Sequence, residues 1–364
     1  SMKYCSALPE EVVNHYGKDF RKHPVGTGPF YLKYWQEDVK LVFLKNPAYF
    51  ERFQGKRLPM LDAVSVSFIA DKQIAFLEFL QGKFDFLSGI DPAYKDELLM
   101  PSGLLNPKYN DDFRLIREPY LNTEYLGIQV ESDDTLLDKV NVRKAINYGF
   151  DRTRMLKYLR NNIGIPGNKG FIPPALPGHN DKITYAYNPD TALMLMSQVF
   201  SSSENKDLNI SLHTTSEYLD LCKYIQHELA QLGISLSLEV HPPATLKELK
   251  AKAMLPFFRA SWIADYPDAE NYLSLFYSKN FCPSGPNYTH FSDTAFDRLY
   301  EKSLSIVNDS ARYLLYKKMD SLLMDRAPVV VLYYDEVLRF LSKKVHGLGS
   351  NPVNLLDLKY TYKD

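Results

Sequence analysis

The chain has 364 residues, 43 Lys and Arg against 44 Asp and Glu, a formal net charge of −1 and 45% apolar residues. That length suits roughly two domains of a globular protein. The balanced charge, with nothing more basic than Lys343-Lys344 near Arg339, argues against a nucleic-acid footprint or a polybasic membrane patch, and no apolar run reaches the ~18 residues of a membrane span.

Gly26-Thr27-Gly28-Pro29 superficially suggests a phosphate loop. Pro29 has no N–H to offer a phosphate, and no Gly-Lys-Ser/Thr follows, so the segment reads as a tight turn into a strand over Phe30–Trp35. Lys40–Leu44 is a second short strand, closed by Asn46-Pro47, and Val64–Ile69 alternates as a half-buried strand does. Asp71 is placed to cap a helix with Ile74, Leu77 and Leu80 inward, ending at Gly82, after which Phe84–Leu87 resumes a strand. The pattern predicts a compact β-α-β unit.

Residues 161–188 form the most loop-like stretch, rich in Gly and Pro but carrying Ile163, Ile165, Phe171, Ile172 and Leu176 as apolar anchors. They read as an ordered surface loop. A helix follows Asn188, with Pro189 in its first turn. Leu208–His213 predicts a strand. Thr214 and Glu217 have capping-box spacing, and Tyr218, Cys222, Ile225, Leu229 and Leu232 line one helix face up to Gly233. Ile234–Val240 alternates as a strand, so a parallel pair joined by a right-handed crossover is expected. Further helices are expected over Thr245–Met254, Thr294–Val307 and Ser310–Asp325. The apolar run Val329–Tyr334 suits a strand buried on both faces.

Catalytic patterns are absent. There is no Gly-x-Ser-x-Gly, and His227-Glu228 lacks the second histidine of a His-Glu-x-x-His site. The eight histidines are scattered, none paired at metal-ligand spacing, and no cofactor or metal is expected. Asp85, Asp268 and Asp293 read as turn or capping residues. The three cysteines, Cys5, Cys222 and Cys282, form no Cys-x-x-Cys and are expected as free thiols, with Cys222 buried on its helix.

One segment stands out. Ser261-Trp262-Ile263-Ala264-Asp265-Tyr266-Pro267-Asp268 puts a lone carboxylate between a tryptophan and a tyrosine, after an apolar stretch and before a Pro-Asp turn. A carboxylate at the mouth of an aromatic-walled pocket suits a ligand with a positive end, such as the amine of a peptide. The plainer reading is a strand-end Asp capping the next turn.

Several segments together resemble the extracytoplasmic solute-binding proteins of peptide ABC transporters, the dipeptide- and oligopeptide-binding type. His23-Pro24-Val25-Gly26-Thr27-Gly28-Pro29-Phe30 with Lys45-Asn46-Pro47-Ala48-Tyr49-Phe50 is similar to one signature of that family. Val142-Arg143-Lys144-Ala145-Ile146-Asn147-Tyr148-Gly149-Phe150-Asp151-Arg152 is similar to a second, and Trp262 to Asp268 to a third. Asn287-Tyr288, Phe296-Asp297 and Ala327-Pro328 resemble its closing part.

The resemblance implies an α/β, two-lobed fold of the periplasmic-binding-protein type (type II). The first lobe would comprise 1–125 plus 329–364 and the second 126–328, with crossing strands near Tyr125–Gln129 and Val329–Tyr333. It implies that Asp265 pairs with the α-amine of a peptide held between the lobes. Trp262, Tyr266 and Tyr288 are the pocket-lining candidates, and Arg259 is the candidate for the ligand's carboxylate, a partner the resemblance does not itself place. It also implies a monomeric, non-enzymatic partner of a membrane ABC permease, periplasmic or anchored as a lipoprotein.

Family members carry a longer segment before the Gly-Thr-Gly-Pro signature. A chain beginning Ser1-Met2-Lys3 is therefore expected to be a piece lacking its leader, its lipid-anchor cysteine and part of the first lobe. The alternatives are a solute-sensing domain of a regulator, or a binder of a nickel complex, haem or a sugar.

Overall fold

The computed structural model describes residues 5–89, 94–131, 136–182, 184–200, 208–349 and 351–364; the opening Ser1-Met2-Lys3 lies outside them. The chain divides into two compact units. One comprises Ser1–Met100, Leu104–Glu118 and Val337–Asp364, the other Pro101–Gly103 and Pro119–Glu336.

In the first unit, Phe30–Gln36, Lys40–Lys45 and Ala63–Ser67 form an antiparallel three-stranded sheet in that order. The turn before it is held by Asn46, whose side chain donates to the Gly28 carbonyl oxygen at 2.8 Å. Asp71 caps the helix Lys72–Leu80, accepting from the amides of Gln73 at 2.8 Å and Ile74 at 3.1 Å. The chain leaves this helix through Gly82 at φ 72°, a left-handed conformation that glycine adopts without a Cβ clash.

Two expectations fail here. The helix buries Phe76 and Phe79, while Ile74 and Leu77 face solvent at 50% and 44% exposure. The larger aromatic side chains, one position off the aliphatic row, bury more area and decide the rotation. The next strand, Phe86–Ser88, pairs antiparallel with Arg339–Leu341 and not with Ala63–Ser67. The strand–helix–strand sequence is therefore not a single-sheet β-α-β unit.

The second unit carries the expected parallel pair. Leu208–Thr214 and Ile234–Val240 run in register from Leu208↔Ile234 to Thr214↔Val240, connected by the helix Leu219–Ala230. That helix buries Leu221, Cys222, Ile225 and Leu229. Its start differs from the expectation: Ser216–Tyr218 form a 3-10 turn and no side chain caps it. Thr214 instead accepts from the Cys222 thiol at 3.4 Å.

Phe257–Ile263 lies beside Leu208–Thr214 and pairs antiparallel with residues 122–128, followed in the sheet by the long strand Val329–Ser342. Residues Val329–Tyr334 of that strand are all buried, as an apolar run in mid-sheet should be. The helices Pro189–Phe200, Pro243–Ala251, Thr294–Leu304 and Asp309–Arg326 complete the unit, and Asp293 caps the third.

The Val142–Arg152 segment acts as a clamp. Arg143 donates to the carbonyl oxygens of Leu137, Asp138 and Arg326 at 2.7–2.9 Å. Arg152, fully buried, donates to those of Asn147 at 2.8 Å and Val331 at 2.5 Å. Burial pushes Arg152 down to about 10, still well above neutral pH, so it stays charged.

Ile163, Phe171, Ile172 and Leu176 anchor the 161–188 loop, while Ile165 is 41% exposed. Asp320 accepts from the Phe171 amide at 2.7 Å, and Tyr334 donates to the Gly170 carbonyl oxygen. A Cβ on Gly170 would stand 1.6 Å from Asp320 Oδ2, so only glycine fits. Cys5, Cys222 and Cys282 are free thiols.

Candidate functional site

Residues 257–263 run as a strand against 122–128, with Ile263↔Asn122, Trp262↔Thr123 and Ser261↔Glu124. The ladder extends to Ala264, whose amide donates to the Leu121 carbonyl oxygen at 2.9 Å. The chain then leaves the sheet. Asp265 is exposed, Trp262 and Tyr266 are half-buried, and the short helix Glu270–Leu273 follows.

Asn271, on that helix and 5% exposed, organises the segment. Its side-chain oxygen accepts from the Trp262 indole N–H at 2.9 Å and from the Asp265 amide at 3.1 Å. One buried acceptor thus fixes the ring and the backbone that presents the carboxylate.

The three carboxylates of the segment have different fates. Asp268 accepts from the Glu270 amide at 2.9 Å and from Arg312 at 3.1 Å. Glu270 accepts from the hydroxyls of Tyr266 and Tyr300. Asp265 has no side-chain hydrogen bond or ion pair among the described residues.

Arg259, six residues earlier, is engaged within the chain. It pairs with Glu124 and lies 3.2 Å from the centroid of the Tyr218 ring. The opposite charge of Glu124 raises it further, against burial. Glu124 also accepts from Asn122 at 2.9 Å, Asn122 donates to the Tyr120 hydroxyl at 3.0 Å, and that hydroxyl donates to Asp335 at 3.4 Å. Asp335 pairs with Arg160 at 2.6 Å, and burial raises it to about 6.

Tyr288 lies on a separate segment. Its ring centroid is 5.7 Å from the Lys250 ammonium, which is also 5.9 Å from the Phe258 ring and donates to the Arg259 carbonyl oxygen at 3.5 Å. Burial, with Arg259 nearby, pushes Lys250 down to about 8.

The structure therefore joins Trp262 and Asp265 through Asn271, ties Tyr266 to Glu270 and Arg259 to Glu124, and sets Tyr288 beside Lys250. Asn271, Glu124 and Lys250 are the residues the sequence reading did not single out. No local signal marks Asn271, which follows the charged Glu270 in Glu270-Asn271-Tyr272-Leu273. As they stand, no three His, Cys, Asp or Glu side chains are grouped to hold a metal among the described residues. No helix among them is long and apolar enough to cross a membrane.

Comparison with known proteins agrees with the resemblance. The model of the bacterial extracellular solute-binding proteins, family 5 Middle, matches residues 2–281. The chain is 22% identical over 339 residues to the dipeptide-binding protein of Escherichia coli K12, covering 91% of this chain and 60% of that protein. It is 24% identical over 351 residues to the glutathione-binding protein GsiB of Salmonella choleraesuis, covering 95% and 65%.

Among solved structures, the periplasmic binding protein DppA of Helicobacter pylori in complex with the peptide STSA superposes with a TM-score of 0.82 at 22% identity. It covers all of this chain and 69% of that one. A dipeptide-binding protein from a Pseudoalteromonas species in complex with Met-Leu gives 0.83 at 19%, covering 100% and 70%. The chain thus spans 60–65% of the length of these curated relatives, and the structural likeness gives the α/β fold of two-lobed periplasmic binding proteins. The chain belongs to the bacterial extracellular solute-binding proteins, family 5.

Proposed function

We propose that this protein is the substrate-binding component of an ABC importer, which captures peptides and hands them to the membrane permease. The observation that carries the reading is the carboxylate of Asp265. It is exposed on a backbone held by Asn271, which also holds Trp262, while both neighbouring acids are already engaged. An ammonium is the group that such a carboxylate recognises best, through a charge-assisted hydrogen bond. Relatives named for dipeptide and glutathione, and structures holding STSA and Met-Leu, support a peptide ligand.

In this reading Asp265 anchors the amine. Trp262 and Tyr266 wall the pocket, Tyr288 lines it, and Arg259, already neutralised by Glu124, orients without supplying a full net charge. The protein works outside the cytoplasm, periplasmic or membrane-anchored, as a monomer, with no nucleic-acid partner and no turnover.

The test is native mass spectrometry of the full-length protein purified without denaturation. Co-purifying small peptides that are absent from Asp265→Asn are expected. A ligand-free mass that stays unshifted with mixed di- to pentapeptides would overturn the reading.

A further inference from the structure

His213 and His241, 28 residues apart in sequence, meet in space. His213 Nδ1 lies 2.9 Å from His241 Nε2, with the ring planes 24° apart. His213 is on the strand Leu208–Thr214, and His241 directly follows Ile234–Val240. The parallel register sets Glu239 directly across from His213, and the His241 amide donates to the Thr214 carbonyl oxygen at 2.9 Å, so the ladder continues past the strand end. Cross-strand partners share a face, and so do residues two apart. Glu239, His241 and His213 therefore stand on one face of one parallel strand pair. Sequence spacing hid this, because the second strand arrives only after a complete helix.

We propose that His213, His241 and Glu239 form a binding site for a borderline divalent transition ion, of which copper(II) is the best fit. Two imidazole nitrogens 2.9 Å apart, each about 2.0 Å from one ion, subtend an angle of about 90° there. Adjacent positions of a tetragonal copper(II) site have that angle, whereas a tetrahedral zinc would need the nitrogens about 3.3 Å apart.

The third donor is not yet in place, and no three-ligand group stands assembled among the described residues. Glu239 is exposed and stands directly across from His213 on the neighbouring strand, so in the proposed site its side chain rotates to complete the set. Without an ion, one imidazole N–H donates to the other ring's nitrogen, which keeps the pair together; on binding, the donating ring shifts that proton to its other nitrogen and both freed nitrogens turn to an ion beside the N···N line.

The site does not depend on the peptide reading. The full-length protein would be stripped with a chelator and titrated with Cu2+ in excess glycine, which suppresses weak surface sites, and followed by electron paramagnetic resonance. One equivalent with two equatorial imidazole nitrogens is expected. His241→Gln should weaken uptake roughly tenfold or more, as loss of a metal-site residue does, and Glu239→Gln should weaken it by several-fold. His241 lies beyond the strand end, so its variant should keep the fold even where His213→Gln does not; circular dichroism checks this. Uptake unchanged in His241→Gln, or a resonance without imidazole nitrogens, would overturn the site. Unchanged uptake in Glu239→Gln would overturn the three-donor set.

Discussion

Glu124 lies in the strand that pairs with Phe257–Ile263 and Asp265 just past the end of that partner strand, and the two are in opposite situations. Glu124 is 3% exposed, paired with Arg259 and bonded to Asn122. Asp265 is exposed, and the chain offers its carboxylate no partner among the described residues. A buried carboxylate must be satisfied by its own chain or it destabilises the fold, whereas one at the surface can be left for a ligand. Glu124 is thus expected to act on stability and, in the proposed function, Asp265 on binding.

The largest expected effect breaks the buried side. Glu124→Ala leaves the Arg259 guanidinium, 12% exposed at its side chain, without its carboxylate. Thermal or urea unfolding should show a loss of about 3–5 kcal/mol. A loss under about 1 kcal/mol would mean that water or another acceptor already satisfies Arg259.

On the exposed side, Asp265→Asn should weaken peptide binding by about 2–5 kcal/mol in calorimetry. Its unfolding midpoint should move by no more than about 0.5 kcal/mol, as surface changes do. A large stability loss would place Asp265 in the structural class with Glu124.

Asp320 sharpens the contrast, because it is buried with one oxygen unpartnered. Burial raises it from 3.8 to about 7. The folded-state pKa lies above the unfolded one, so its stabilising protonated form is fully present below about pH 4 and lost as pH rises through about 7. The difference in unfolding free energy between wild type and Asp320→Asn should therefore change by roughly 2–4 kcal/mol between pH 4 and pH 8, against the wild type at high pH. A difference independent of pH would mean that Asp320 ionises normally.

The smallest effect concerns the mount. Trp262→Phe keeps an aromatic ring, smaller than the indole, but removes the N–H that Asn271 accepts. Peptide affinity should fall by about 0.5–1.5 kcal/mol, the net contribution of one hydrogen bond. Unchanged affinity would show that the Asp265 amide alone holds Asn271 in place.

Much of this was legible in the chain, for local reasons. Asp71, Gly82, Gly233 and the alternation in Ile234–Val240 act within a few residues of themselves, and they fix elements wherever tertiary packing agrees. The failures are non-local. Which face the helix Lys72–Leu80 buries was decided by Phe76 and Phe79, and Phe86–Ser88 chose a partner some 250 residues away. Thr214 gave up a capping role for a contact with Cys222. At the candidate site Asp265 and Trp262 could be named from their neighbours. The acceptor that holds both, Asn271, could not, because its function appears only when strand and helix meet. The same holds for the meeting of His213 and His241.

In the proposed function the Asp265 carboxylate is kept for an amine. Calorimetry on the full-length protein with one dipeptide and its N-acetylated counterpart, each against wild type and Asp265→Asn, tests it most directly. Wild type is expected to prefer the free-amine peptide strongly, and Asp265→Asn to lose most of this preference. Equal affinity of wild type for both peptides, or a preference that survives in Asp265→Asn, would contradict it.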